Sequence, residues 1–427
     1  MDTAPILAYI DTLQEELIRI RRDIHQHPEV LFDVPRTAGK VAELLERYGL
    51  EVQRQVGRHF GSGVVGLLHG SKEGRTVLLR ADMDALPIQE ETGAEYSSRH
   101  AGIMHACGHD AHTAMLLGAA KALSRFRNEL HGTVKFVFQP AEEGTRQLES
   151  DGRLISGGRD MIEAGILEGV DTCFAIHVWP DLPAGTLGLH KKEAMAASSH
   201  FTVRFHGVSG HHSSPHLAAD AILMAAQFIN EIKLAMTTVV DPLEPAVLSF
   251  GTLNAGTVLN AIADHSEIKG SFRAFHPAVV DKITHRIQRT AELVAMQHGG
   301  TSEVIQRTGT LLSNDSHVRQ LAEQAGHVVF GKHGVQELRP ILAGEDFALY
   351  TDQIPGAFAF LGSSREGCDP VYPIHHPKFG LDESILTLGA KLHAQFVLEA
   401  LGEERAEQEE RGSAFTAALP AGVSRGV

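Results

Sequence analysis

The chain has 427 residues, 43% hydrophobic and 21% charged, enough for more than one core. Its formal net charge is −15, and no basic run exceeds Arg21-Arg22 or Lys191-Lys192, which argues against nucleic acid and against anionic membrane surfaces as partners. No apolar run approaches the roughly 20 residues of a membrane span. Three cysteines, Cys107, Cys173 and Cys368, are too sparse for a disulfide frame, so the expectation is a globular protein of the reducing cytoplasm.

Ile6, Leu7, Ile10, Leu13, Leu17 and Ile20 recur at helical spacing, which predicts a mature amphipathic N-terminal helix and no signal peptide. A second helix follows from Pro35 to Tyr48, closed by Gly49. Short apolar runs at Gly63–His69 and Thr76–Arg80 predict buried strands, the second ending in Asp82 and Asp84. The stretch Met104 to His112 then packs His105, Cys107, His109, Asp110 and His112 into nine residues, just before an Ala/Leu/Met-rich helix running to Arg127. Cys107 and His109, two apart, project to one side of a turning backbone, and the positive end of that helix favours a thiolate. The strand Thr133–Phe138 ends at Gln139-Pro140-Ala141-Glu142-Glu143-Gly144, and the strand Thr172–Pro180 carries His177 near its end.

From about residue 190 the pattern changes. Strand Ser198–His206, helix Ala218–Met236, strands Ala246–Thr252 and Ser266–Phe275, helix Ala278–His298 and strand Ser302–Arg307 follow the ferredoxin-like order, two helices on one face of an antiparallel sheet. The expected organisation is therefore a first domain at 1–189, an inserted α+β domain at 190–308, the first domain resumed at 309–401, and a solvated tail at 402–427. The resumed part holds Gly344-Glu345-Asp346-Phe347, a buried strand at Pro355–Gly362, the pair His375-His376 and a closing helix at Leu381–Leu401.

A lone Cys or His is more often a packing residue than a ligand, and adjacent glutamates are more often a solvated loop. Here Cys107, His109, Glu142, Glu143, His177 and His375 or His376 all fall at strand ends or adjoining loops of one sheet domain. So many groups are too many for one tetrahedral ion but suit two ions sharing a bridging ligand, with Asp84 able to orient a histidine ligand from behind.

In this order, Arg22-Asp-Ile-His-Gln-His-Pro-Glu29, Ala81-Asp-Met-Asp-Ala-Leu-Pro87, Met104-His-Ala-Cys-Gly-His-Asp-Ala-His112, Gln139-Pro-Ala-Glu-Glu-Gly144, His177-Val-Trp-Pro180, Gly344-Glu-Asp-Phe347 and His375-His-Pro377 resemble the amidohydrolase branch of the aminoacylase/carboxypeptidase zinc metallopeptidases, which includes hippurate and indole-acetyl-amino-acid hydrolases. The resemblance spans about residues 15 to 400. It implies an α/β fold, a mixed-sheet catalytic domain with an inserted ferredoxin-like lid and dimerisation domain. It also implies two divalent ions, Zn, Mn, Co or Ni, held by Cys107, His109, Glu143, His177 and His375, His376 remaining an alternative. In other branches a His occupies the ligand position that is Asp82 here. The resemblance makes Glu142 the general base, Asp84 a supporting carboxylate, His211 an oxyanion donor that often acts across a dimer interface, and Asn260 and Arg273 substrate contacts. The expected activity is hydrolysis of small N-acyl-L-amino acids by a homodimer or higher homo-oligomer. A dipeptidase or carboxypeptidase on the same scaffold is the alternative, and a non-catalytic binding protein or a Cys107-nucleophile hydrolase fits the residues less well.

Overall fold

The structure, a computed structural model, describes residues 3–365, 367 and 371–417. Cys368 and residues 418–427 of the expected tail lie outside the described residues. The chain divides into two compact units, one of Met1–Lys192, Asn314–Leu338 and Leu349–Val427, the other of Glu193–Ser313 and Arg339–Ala348. In chain order the principal helices are α1 (Ala4–Asp11), α2 (Gln14–Gln26), α3 (Pro35–Arg47), α4 (His109–Arg125), α5 (Ala221–Val239), α6 (Pro277–Gln297), α7 (Ser316–Phe330) and α8 (Ile385–Ala417). The principal strands are β1 (Glu51–Val56), β2 (Gly63–His69), β3 (Lys72–Asp82), β4 (His131–Gln139), β5 (Thr172–Pro183), β6 (Leu187–His190), β7 (Ala197–His206), β8 (Ala246–Ala255), β9 (His265–Ala274), β10 (Thr301–Arg307), β11 (Val335–Leu338) and β12 (Gly356–Ser364).

The first unit is built on an eight-stranded mixed sheet in the order β1-β2-β4-β3-β5-β12-β6-β11. Its centre is parallel: β3 lies between β4 and β5, and β12 runs parallel to β5. Central strands covered on both faces need apolar residues throughout, and β12 is buried from Gly356 to Gly362. Helix α4 is apolar around most of its circumference and buried along nearly its whole length, as a core helix must be.

Three sequence expectations change here. The single N-terminal helix is two, because Thr12 donates its hydroxyl to the Tyr9 carbonyl at 2.6 Å and Glu15 and Glu16 favour a fresh N-terminus at α2. The closing helix does not end at Leu401 but runs to Ala417, through a Glu-, Ala- and Arg-rich stretch of high helix propensity. Residues 309–313 and 339–348 belong to the second unit rather than to the resumed first domain, since Leu312 pairs with Met195, and Ile341 donates its N–H to Ala194 and bridges Met195.

The second unit is a four-stranded antiparallel sheet in the order β8-β9-β7-β10. Phe201, Val203 and Phe205 alternate inward from β7 and share one buried cluster with Ala225, Phe228 and Ile232 of α5 and Ile283, Ile287 and Ala291 of α6. Strand β8 is an edge and is largely exposed.

Candidate metal centre

Three neighbouring parallel strands aim their C-terminal ends at one place. In β3 and β4, Asp82 stands level with Gln139; in β3 and β5, Arg80 stands level with Ala175, two residues before His177. The crevice beyond the carboxyl ends of such strands is where an open α/β sheet places its chemistry. Helix α4 starts in that crevice at His109, so this candidate ligand rides on the helix's first turn rather than on the preceding loop. The turn depends on Gly108, whose φ is +90° and where a Cβ would stand 2.4 Å from a Val178 methyl.

The candidate metal-binding atoms converge. Cys107 Sγ is 3.4 Å from His177 Nε2 and 3.3 Å from His375 Nε2. Glu143 Oε1 lies 3.4 Å from His375 Nε2 and 3.8 Å from His109 Nε2. Two ligand triads, Cys107-His109-His177 and Cys107-Glu143-His375, thus meet at the thiol, and Glu142 shares a third group with His109 and Glu143. His375 reaches this point with φ at +65°, a conformation non-glycine residues seldom adopt and which persists only where surroundings impose it. His376 does not: it stacks on Tyr372 and accepts the Lys378 N–H at 3.0 Å.

The far side of each ring is committed. His109 Nδ1 donates to the Asp84 carbonyl at 2.8 Å and His177 Nδ1 to the Val178 carbonyl at 2.7 Å, which turns both Nε2 lone pairs towards the cluster. Among the described residues, His109 Nε2 and Glu143 Oε1 are buried without a hydrogen-bond partner. Buried polar atoms ordinarily find partners, and a thiol, imidazoles and a carboxylate facing one another are the donor set of divalent transition-metal sites. The residues present fit such ions.

Charge reinforces this. Burial opposes charging His109, yet Asp82, Asp84 and Glu143 together raise its pKa to about 10. Burial, and then Glu143, Glu142 and Asp82, hold the Cys107 thiol well above its usual value. Burial and His112 keep His177 neutral. With no cation the cluster therefore keeps its protons, which a divalent ion would have to displace.

Asp84 acts in two ways. Its carboxylate accepts the Glu142 N–H at 3.0 Å and the Glu143 N–H at 3.2 Å, while its main-chain carbonyl, not its side chain, takes the short bond from His109. Asp82, His109 and His112 also lie close enough to form a ligand group. However, His112 donates Nδ1 to Asp82 at 2.6 Å and accepts the Val178 N–H at Nε2, which leaves no lone pair for an ion. Arg80 pairs with Asp82 at 2.6 Å and donates to Gln139.

The second unit carries the other expected residues. Gly210–His211 pairs with Ala261–Ile262, and the His212 N–H points to the Asn260 carbonyl at 3.4 Å, so His211 and Asn260 come together. His211 is exposed and its Nδ1 bonds the Ser213 hydroxyl. Arg273, on β9 opposite Ser198, is half-buried; burial alone lowers its pKa, and no acid pairs with it among the described residues. A Cβ on Gly344 would lie 2.9 Å from its Nη1.

Residues 78–399 match peptidase family M20/M25/M40. The chain belongs to that family. It is 37% identical over 382 residues to thermostable carboxypeptidase 1 of Saccharolobus solfataricus, covering 90% of this chain and 94% of that protein. It is 38% identical over 305 residues to the N-acyl-L-amino acid amidohydrolase of Geobacillus stearothermophilus, covering 71% and 79% respectively. The crystal structure of Bacillus subtilis YXEP, described as a dinuclear metal-binding peptidase of the M20 family, superposes with a TM-score of 0.77 at 33% identity, covering 92% of this chain and 99% of that one. The fold is thus the mixed α/β fold of the M20 peptidases, and the chain is a hydrolase of that family.

Sequence reasoning missed several residues beside the candidate groups: Arg80 in the first unit, and Gly344 and His200 near Arg273 in the second. Arg80 could have been found as a charge inside the otherwise apolar run Thr76–Ala81, and Gly344 as a glycine in a motif left without a role. His200, which burial and then Arg273 and Arg307 keep neutral, had no signal at all.

Proposed function

We propose that this M20 enzyme is a metal-dependent amidohydrolase that cleaves N-acyl-L-amino acids to a carboxylic acid and a free amino acid. Cys107, His109, Glu143, His177 and His375 hold two divalent ions. The observation that carries this reading is the meeting of two ligand triads at Cys107 Sγ with Glu142 alongside. Ions bound there acidify water and polarise the amide carbonyl. Glu142 accepts the attacking water's proton and returns it to the departing amine. Asp84 fixes the main chain from which the Glu142 side chain projects. His211 donates to the tetrahedral oxyanion, Asn260 contacts the substrate, and Arg273 binds its α-carboxylate in bidentate fashion. The unpaired, half-buried charge of Arg273 supports that last role.

A thiolate with imidazoles favours Zn, Co or Ni, and the carboxylate admits Mn. The chain assembles as a homodimer or higher homo-oligomer through its second unit, a reading supported by the open edge of β8 and by exposed Val247, Leu253, Val258 and Leu259. Free, buried Cys107 and Cys173 suit a reducing cytoplasm. Among the described residues no helix is long and apolar enough to cross a membrane.

Initial rates on acetyl-, benzoyl- and indole-acetyl-amino acids and on dipeptides, with metal content measured on the same preparation, test the proposal. Acyl-amino-acid turnover that chelation removes is expected. Faster turnover of dipeptides, or of peptides from their C-terminus, would instead favour the carboxypeptidase alternative, which the likeness to thermostable carboxypeptidase 1 keeps open.

A further inference from the structure

Behind the ligands lies a buried ion cluster that the proposed chemistry does not use. Asp110 directly follows His109 on the first turn of α4 and is fully buried. Its Oδ2 is 2.6 Å from Arg21 Nε and accepts from His25 Nδ1 at 2.8 Å. Arg21 and His25, both on α2, are themselves 1% and 2% exposed. The other His25 nitrogen, Nε2, is 3.2 Å from Glu90, which also accepts from the Thr92 hydroxyl and the Ser98 N–H. Arg21 and Arg22 both reach Glu383, just before α8, and the Tyr96 ring lies under both guanidinium groups at 4.8 and 4.6 Å.

Both His25 ring nitrogens face carboxylates, with Arg21 Nη2 also 3.2 Å from Nδ1, and a protonated ring lets the cluster balance three cations (Arg21, Arg22, His25) with three anions (Glu90, Asp110, Glu383). Burying so many charges is costly, and a well-packed apolar cluster would stabilise the fold as well or better. What the ion cluster provides instead is direction. A carboxylate hydrogen-bonded by His25 and ion-paired with Arg21, both on α2, restricts the rotation of the α4 turn, and successive residues on a helix are 100° apart, so fixing Asp110 fixes where His109 points. Cys107 is tied to the same turn through Gly108.

We propose that Asp110, Arg21 and His25 are positioning residues for the metal centre: by locking the first turn of α4 they preset Cys107 Sγ and His109 Nε2 for a divalent ion before one binds. This rests on the reading of Cys107 and His109 as metal ligands.

Cobalt(II) titration of the full chain tests it, monitored by the thiolate-to-cobalt charge-transfer band and the d–d bands, with circular dichroism and thermal melting of the metal-free protein in parallel. Asp110→Asn is expected to fold, to bind cobalt 10- to 100-fold more weakly and to show shifted bands, as when supporting partners of a metal ligand are removed. Should that single variant fail to fold with Arg21 left unpaired, Arg21→Met with Asp110→Asn removes both charges, restores folding and still binds cobalt weakly. A folded single or double variant with wild-type affinity and spectrum would overturn the proposal and leave the cluster a purely structural ion network. If the wild-type protein binds cobalt without a thiolate band, Cys107 is not a ligand, and the proposal falls with that assignment.

Discussion

Asp84→Asn separates the two tasks of one residue. The substitution leaves the main-chain carbonyl in place, so His109 keeps the 2.8 Å bond that turns Nε2 towards the ions. What changes is the carboxylate that accepts the N–H groups of Glu142 and Glu143 at 3.0 and 3.2 Å. An amide can accept one of them and turns an NH2 group against the other. Losing a charge-assisted bond and stranding a buried N–H costs about 1.5–3 kcal/mol. Falling on the placement of Glu142, that is roughly a 10- to 150-fold loss in rate. Burial already raises the Asp84 pKa, so a neutral amide removes a desolvation cost that offsets part of the loss in thermal stability. The assay is kcat on an acyl amino acid at saturating metal, with metal content measured alongside. A kcat within twofold of wild type, or full recovery on adding excess metal, would refute the claim that Asp84 positions the base.

Three further outcomes are expected. Glu142→Gln should lower kcat at least ~100-fold while the protein retains its metal; substantial residual turnover would sink the general-base role. Arg273→Ala should raise KM at least ~10-fold for substrates with a free α-carboxylate and much less for their amide analogues, and equal losses on both would remove its anchoring role. The His109 pKa of about 10, against an unfolded value near 6.5, sets a pH signature for the metal-free protein. Because the folded pKa is the higher, the charged ring's contribution to stability is complete below about pH 6.5 and disappears as pH rises towards 10. Melting temperatures of chelated protein should therefore decline across that window relative to metal-loaded protein, where the ring cannot be protonated at Nε2; parallel profiles would contradict the assignment.

The segments that carry the candidate ligands were legible because each is local: a dense Cys/His turn before a helix, a Glu-Glu pair after a buried strand, a His near the end of another. The ferredoxin-like order of the second unit was legible for the same reason, its hydrophobic periods switching between two and 3.6. Less visible were features that depend on two distant segments. The segment at 339–348 carries no compositional mark of the unit it joins; only its backbone bonds with Ala194 and Ala196 decide that.

By itself the sequence offered Cys107, His109, Glu142, Glu143 and His177 as candidate site residues and expected a strand end or loop to carry each, which fails for His109, the first residue of α4. Tertiary structure alone decided which atoms meet. His375 reaches Cys107 because its backbone is held at positive φ, whereas its neighbour turns away to stack on Tyr372. His112, as metal-like as His109 on paper, spends both nitrogens on Asp82 and Val178. Hydrogen-bond capacity is a property of residue type, but whether a lone pair is spent or spare depends on neighbours that sheet register and helix rotation bring within 3 Å.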